Sequence, residues 1–110
     1  MRTVKPMKQV GGWRPVRETR IEIDLRTCRY AYELHEKLKD AFGFPDDYGA
    51  NWNAFWDYLN DFCGDLESER SIVIHGLSSL SSQLLEYSQG MLEVIRDAEE
   101  KYPFVHFSFE

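Results

Sequence analysis

Acidic side chains gather in residues 44–69, which hold seven carboxylates and no lysine, arginine or histidine. Such a stretch could perform general acid–base catalysis, coordinate a divalent cation or recognise a basic surface. Catalysis would need a carboxylate with a raised pKa in a closed pocket. A calcium loop needs alternating ligands around a turn glycine, and the run Asp65, Glu67, Glu69 is too short for one. The residues therefore favour recognition of a basic surface, with a solvated acidic helix face as the alternative.

The three histidines and two cysteines offer no second reactive site. No two of them have metal-ligand spacing, and the chain has no nucleophile elbow, phosphate loop or dinucleotide glycine pattern. We predict structural or surface roles for His35, His75 and His106, and a packing role for Cys63. The sequence thus predicts a protein that is not an enzyme and has no catalytic residue, no metal and no cofactor.

A helix that Asn51 can cap arranges the acidic stretch into two faces. At about 100° per residue, the apolar and polar side chains separate, and Trp56 borders the polar set. The apolar side holds Trp52, Phe55, Tyr58, Leu59 and Phe62, and the polar side holds Asn53, Asp57, Asn60 and Asp61. A large aromatic side chain that borders amides and carboxylates is typical of a protein interface, and tryptophan is among the residues that most often anchor one.

Asp57 and Asp61 break two local rules of helix stability. They are like charges at i,i+4, and they lie in the later half of the helix, where the macrodipole disfavours anions. Chains tolerate such conflicts where function requires them. The pair therefore supports a functional role for this face.

The charge is unevenly distributed along the chain. Residues 1–20 hold six basic residues and one acidic residue, a net charge of +5, whereas the remainder holds seven basic and eighteen acidic residues, a net charge of −11. We predict a basic N-terminal arm over residues 1–18 and one domain over residues 19–110. A domain this acidic would be repelled by nucleic acid and attracted to basic proteins.

The chain shows neither a signal peptide nor a run long enough to span a membrane, and two cysteines are too few for a disulfide scaffold. We therefore expect a cytoplasmic protein with no membrane partner and no direct nucleic-acid contact.

Hydrophobic periodicity predicts the elements that position the acidic helix. Thr27 should cap the first helix and Gly43 should end it; Gly90 should break the chain before the last helix. Leu80, Leu84 and Leu85 should point inward from the third helix. The predicted strands are 20–25, 71–77 and 103–109, and the predicted helices run from 28 to 42, after Asn51, over 78–87 and over 91–101. This order predicts an α/β fold, a small three-stranded parallel sheet covered by about four helices.

The central stretch resembles the helix-and-loop motif of the barstar family of ribonuclease inhibitors, and the similarity extends over about residues 20–110. The matching residues are Pro45, Tyr48, Gly49, Asn51, Ala54, Trp56, Asp57 and Leu59. The resemblance implies a three-stranded parallel sheet covered by helices. It also implies that the second helix and the loop before it enter the active-site cleft of a ribonuclease.

The resemblance assigns roles to particular positions. Asp57 matches the carboxylate that occupies the phosphate site, and Trp56 matches the adjoining interface tryptophan. Gly49 and Asn51 match loop contacts, and Asp97, beside Arg96, matches an outlying acidic contact on the last helix. Four positions depart from the motif: Asp47 replaces a tyrosine, Trp52 a leucine, Asn53 an aspartate and Phe62 a tryptophan. The cognate enzyme therefore need not match barnase in detail.

We predict an inhibitor, or immunity protein, whose partner is a basic toxic nuclease and most simply a ribonuclease, made by the same cell or its siblings. The alternative is a regulatory interaction domain that kept the fold and changed its partner. The predicted contact residues are Asp47, Tyr48, Gly49, Asn51, Trp52, Asn53, Trp56, Asp57, Asn60, Asp61, Phe62 and Asp97.

Overall fold

Three strands and four helices make up the part of the chain that the computed structural model describes, residues 19–64 and 69–110. In chain order they are β1 (Arg20–Asp24), α1 (Ala31–Phe42), α2 (Trp52–Gly64), β2 (Arg70–His75), α3 (Ser82–Tyr87), α4 (Gln89–Lys101) and β3 (Val105–Phe109). A short 3-10 turn, Leu77–Ser79, precedes α3. The predicted basic arm, residues 1–18, lies outside the described residues.

The sheet is parallel throughout, with the strand order β1-β2-β3. Ile72 of the central strand pairs with Ile21 on one side and with Phe107 on the other. Parallel pairing follows from the connections, because a helical crossover separates each strand from the next. The predicted α/β class and parallel sheet are confirmed; α1, α2 and α4 have 12 or 13 residues, and α3 has six.

The core forms where the apolar face of the sheet meets the helices. Ile23 and Ile74 are buried on that face, whereas Glu22 points away from it and is exposed. Leu38 of α1 and Phe55 of α2 are fully buried in the same cluster. Because α2 packs on this core and beside α4, one of its faces remains directed outward.

The first helix begins later than its sequence predicts. The Glu33 carboxylate accepts hydrogen bonds from the backbone N–H of Arg29 (2.6 Å) and of Tyr30 (3.0 Å), so α1 begins at Ala31 and Thr27 does not cap it. Its end agrees with the prediction: Gly43 is left-handed, with φ 73°, and donates its N–H to the Lys39 carbonyl.

The second strand ends at His75 because Gly76 has φ 88°, a left-handed conformation that a strand does not contain. A Cβ at Gly76 would approach Arg26 Cγ to 2.4 Å. The single helix predicted over 78–87 is wrong, because the structure has two separate elements there. The 3-10 turn comes first, and α3 starts at Ser82 with Ser81 as its cap. Leu80 and Leu84 are buried as predicted, but Leu85 is exposed.

Gly90 lies inside α4, so the predicted break at this position is wrong. The glycine is needed for space, since a Cβ would lie 2.2 Å from Cδ1 of Trp52 at the start of α2. Trp52 also donates its indole N–H to the Tyr87 carbonyl at 3.1 Å. The close approach of helix and ring fixes the first turn of α2 against α4.

We expect Gly90→Ala to lower the free energy of unfolding by about 1–2 kcal/mol, because overpacking against Trp52 outweighs the better helix propensity of alanine. Gly49→Ala is the matched control, since its Cβ would meet nothing closer than 3.5 Å. Its effect should stay within about 0.5 kcal/mol. Denaturant unfolding measures both, and equal stability of Gly90→Ala and the wild type would contradict the close contact.

Candidate functional site

The loop before α2 is a closed turn that fixes where the helix begins. Tyr48 donates its backbone N–H to the Pro45 carbonyl at 3.1 Å. Asn51 Oδ1 accepts from the Ala54 N–H at 2.8 Å, and its amide donates to the Gly49 carbonyl at 3.2 Å. Asn51 is therefore the helix cap, as predicted, and it ties the loop to the first turn.

Ala50 adopts φ 54°, the left-handed region, which an L side chain occupies at a cost. Its neighbours Gly49 and Asn51 are exposed with it. Backbone strain of this kind is retained where the surrounding structure fixes the conformation. Here the capping bonds of Asn51 fix it on the exposed surface of the loop.

We expect Ala50→Gly to raise the free energy of unfolding by about 0.5–1 kcal/mol, because glycine adopts this backbone conformation without strain. Ala54→Gly, within α2, should lower it by a similar amount. Thermal and denaturant unfolding of the pair measure the difference. Destabilisation by both variants would show that Ala50 is unstrained.

The two faces predicted for α2 are confirmed. Phe55, Leu59 and Phe62 are buried in the core, whereas Asn53 and Asp57 are exposed. Asn60 and Asp61 are half-buried at the edge of the polar face. The outward face of α2 therefore presents carboxylate and amide groups.

Trp56 lies at the border of α2 and α4, half-buried. Lys101 Nζ lies 5.8 Å from its ring centroid, within cation–π range. The next residue, Tyr102, donates its hydroxyl to the side-chain and backbone oxygens of Asn60. Asp97 is exposed one helical turn before Lys101. The end of α4 thus borders the polar face of α2, a contact that the sequence analysis missed.

A buried polar cluster lies beneath the loop. His35 Nδ1 is 2.7 Å from the Tyr48 hydroxyl, and Nε2 is 2.8 Å from the Tyr87 hydroxyl. The Trp52 ring centroid is 4.2 Å from that of His35. Burial lowers the pKa of His35 to about 4 and raises that of both tyrosines. The neutral imidazole therefore joins α1, the loop and α3.

Three predicted contact residues face inward. Phe62 is 1% exposed and packs edge-on against Phe42, with ring centroids 5.1 Å apart. Tyr48 is 9% exposed, with its hydroxyl on His35, and Trp52 is half-buried under α4. We therefore do not include the Phe62 side chain in the proposed contact set. Tyr48 and Trp52 pack beneath the loop and hold the loop and the first turn of α2 in position.

The loop and the helix are also joined through Asp47. Its Oδ1 accepts a hydrogen bond from the Tyr58 hydroxyl at 2.7 Å. Asp47 is exposed, whereas Tyr58 is buried in the core cluster. The periodicity of α2 predicts that Tyr58 is a core residue. It does not predict the hydrogen bond to Asp47, because Asp47 lies in the loop outside the helix.

The remaining reactive side chains have structural surroundings. Cys63 is fully buried, and burial raises its pKa to about 12, so its thiol is not a nucleophile. His75 bonds Glu22 across the sheet at 2.8 Å. Within residues 19–64 and 69–110, no group of three His, Cys, Asp or Glu side chains could hold a metal ion. In the same ranges, no helix is long and apolar enough to cross a bilayer.

Comparisons with known proteins agree with this geometry. The family model described as Barstar (barnase inhibitor) matches residues 19–109. The chain is 35% identical over 82 residues to a protein of Bacillus subtilis (strain 168) named "Putative ribonuclease inhibitor YrdF", an alignment that covers 74% of this chain and 87% of that protein. A match over this much of the chain identifies the family: the chain belongs to the barstar family of barnase inhibitors.

Proposed function

We propose that the protein inhibits a ribonuclease by covering its active-site cleft with the outward face of α2 and the loop before it. The observation that carries the proposal is the exposed Asp57 on a helix whose start is fixed by the Asn51 cap and by Trp52. A ribonuclease cleft binds phosphates with basic groups, and a carboxylate held on a rigid helix can take the place of a phosphate. The family match supports the same class of partner.

The net charge of residues 21–110 supports this mechanism. At −11, it would attract a basic enzyme and speed the encounter, most strongly at low salt. The outward groups of α2 add specific contacts at the end of that approach. The exposed or half-buried contact set that we propose is Asp47, Gly49, Asn51, Asn53, Trp56, Asp57, Asn60, Asp61 and Asp97.

The biological setting is part of the proposal. A cell that makes a toxic ribonuclease, or meets one made by its siblings, needs an inhibitor in its own cytoplasm. We propose that this chain is such an immunity protein. Its two cysteines, both free and buried, are compatible with a reducing compartment.

The first test is capture of the partner from a lysate of the source organism with the wild-type protein and with Asp57→Ala. Recovery of a basic nuclease by the wild type, lost or much weakened with Asp57→Ala, and inhibition of its cleavage of RNA at a 1:1 ratio would support the proposal. A partner that binds both forms equally would move the function to a regulatory interaction domain on the same fold.

A further inference from the structure

Tyr58 occupies an unusual position for a core residue. Its ring is 6% exposed and packs against Phe44 and Tyr48, with centroids 5.5 Å and 5.6 Å away. Its hydroxyl nevertheless reaches the Asp47 carboxylate at the surface, 2.7 Å away. A buried, tightly packed phenol thus holds an exposed carboxylate of the loop in one place.

The same phenol is surrounded by the acidic groups of the proposed contact surface. Burial is the largest cause that raises the pKa of Tyr58 to about 12, followed by the hydrogen bond to Asp47. The charges of Asp47, Asp57 and Asp61 raise it further. Tyr58 lies between Asp57 and Asp61 in the sequence of α2, and its hydroxyl contacts Asp47, so Asp47 lies next to the acidic part of that helix.

Held in this way, Asp47 loses little conformational freedom when a partner binds. A loop carboxylate that had to be ordered on binding would contribute less to affinity, because ordering costs entropy. A hydrogen bond from a neutral phenol fixes the position of the carboxylate and leaves its charge available to a partner.

We propose that Tyr58 is a positioning residue that fixes Asp47 as a third anion beside Asp57 and Asp61, and thereby sets the specificity of the inhibitor. The proposal rests on the proposed function. The matching partner is a nuclease whose cleft carries a basic group opposite the loop as well as basic groups opposite α2. A nuclease without the additional basic group is bound less tightly, because Asp47 then loses water without gaining a partner.

Three variants separate the charge of Asp47 from a purely structural role of the bond. Tyr58→Phe removes the hydroxyl and keeps the packed ring. Asp47→Asn removes the charge but keeps an oxygen that can accept from Tyr58. Asp46→Asn makes the same charge change on the neighbouring residue, whose side chain is 98% exposed and pairs with Lys39 at 3.2 Å.

We expect Tyr58→Phe and Asp47→Asn each to weaken binding of the captured nuclease roughly tenfold, and Asp46→Asn to change it less than about threefold. The double variant Asp47→Asn/Tyr58→Phe should bind with about the affinity of the weaker-binding single variant, because both changes act on the same contact between Asp47 and the partner. Titration calorimetry or stopped-flow fluorescence at two salt concentrations measures these affinities.

A readout without the partner tests whether the charge of Asp47 lies against the Tyr58 hydroxyl. In a ¹³C NMR titration of the free protein, Asp47→Asn should lower the pKa of Tyr58 relative to the wild type, and Asp46→Asn should not, because Asp47 accepts the Tyr58 hydroxyl. An unchanged Tyr58 pKa in Asp47→Asn would overturn the proposal whatever the partner is.

The binding results separate the failure of this proposal from the failure of the proposed function. Wild-type affinity in both Tyr58→Phe and Asp47→Asn, with binding still lost in Asp57→Ala, would overturn the role of Tyr58 and leave the inhibitor function intact. Weak binding of Tyr58→Phe with normal binding of Asp47→Asn would also overturn it, since the bond would then act only on loop structure. Binding that is insensitive to Asp57→Ala would overturn both.

Discussion

Replacing Asp57 by alanine should weaken binding of the cognate nuclease by at least about 30-fold. Truncation of a hot-spot residue of an interface costs about 2 kcal/mol or more, which corresponds to that ratio. Asp57 is exposed on the outward face of α2, between the capped loop and the border with α4. The loss should be large because the basic groups that bind a phosphate would be left in a covered cleft without their counter-charge.

Measuring rates as well as affinity makes the prediction for Asp57 specific. Glu86→Ala is the matched control, because it removes the same charge from an exposed position on α3. Both variants should slow association slightly and in a salt-dependent way, but only Asp57→Ala should speed dissociation strongly. Similar dissociation rates for the two variants would show that Asp57 contributes through the overall field and not through a direct contact.

The α2 helix shows how much of the site the sequence could predict. Its cap, its two faces and the outward position of Asp57 depend on residues within four positions of one another, so they follow from local rules. The parallel sheet followed from the lengths of the connections. These features required no knowledge of distant contacts.

The error at Gly90 and the contacts that the sequence did not predict share one physical cause, which is packing between residues far apart in the chain. The indole N–H of Trp52 bonds a carbonyl 35 residues away, and the hydroxyl of Tyr102 bonds Asn60 across 42 residues. Neither contact leaves a periodic signal. Gly90 was misread for the same reason: its role is to admit the Trp52 ring, whereas local rules treat glycine as a breaker.

Phe62 and Tyr48, two of the predicted contact residues, have buried side chains for a related reason. A family motif transfers a role to a position, but whether a side chain reaches the surface depends on its neighbours. Phe62 fills space next to Phe42, and Tyr48 is directed inward by its hydrogen bond to His35. A buried hydrogen-bond partner of this kind cannot be identified from the motif alone.

His35 should make the stability of the protein depend on pH. The imidazole is 2% exposed, and its nitrogens are engaged by the hydroxyls of Tyr48 and Tyr87, with the neutral ring of Trp52 beside it. A neutral imidazole can donate to one hydroxyl and accept from the other. The charged form could donate to both hydroxyls, but its charge would be buried away from water among neutral groups, which is unfavourable.

The sign of the effect follows from the two pKa values of His35. The pKa is about 4 in the folded protein and 6.5 in the unfolded chain, so between these values the unfolded state binds one more proton. The stabilisation is therefore complete above about pH 7 and is lost as the pH falls to 4, by about 3 kcal/mol in all. Between pH 7 and pH 5, where most carboxylates remain ionised, the loss should be about 2 kcal/mol.

His35→Gln should remove this dependence, because glutamine can bond the tyrosine hydroxyls but does not titrate. Urea unfolding at pH 5, 6 and 7 measures this dependence. As the pH is lowered from 7 to 5, we expect the free energy of unfolding to stay nearly constant for the variant and to fall for the wild type. His106→Gln is the control, since that histidine is exposed and its variant should keep the wild-type slope. Equal slopes for the wild type and His35→Gln would show that His35 is protonated as easily in the folded protein as in the unfolded chain. In that case, the protonation state of His35 would not affect the stability of the cluster that His35 forms with Tyr48 and Trp52 beneath the loop.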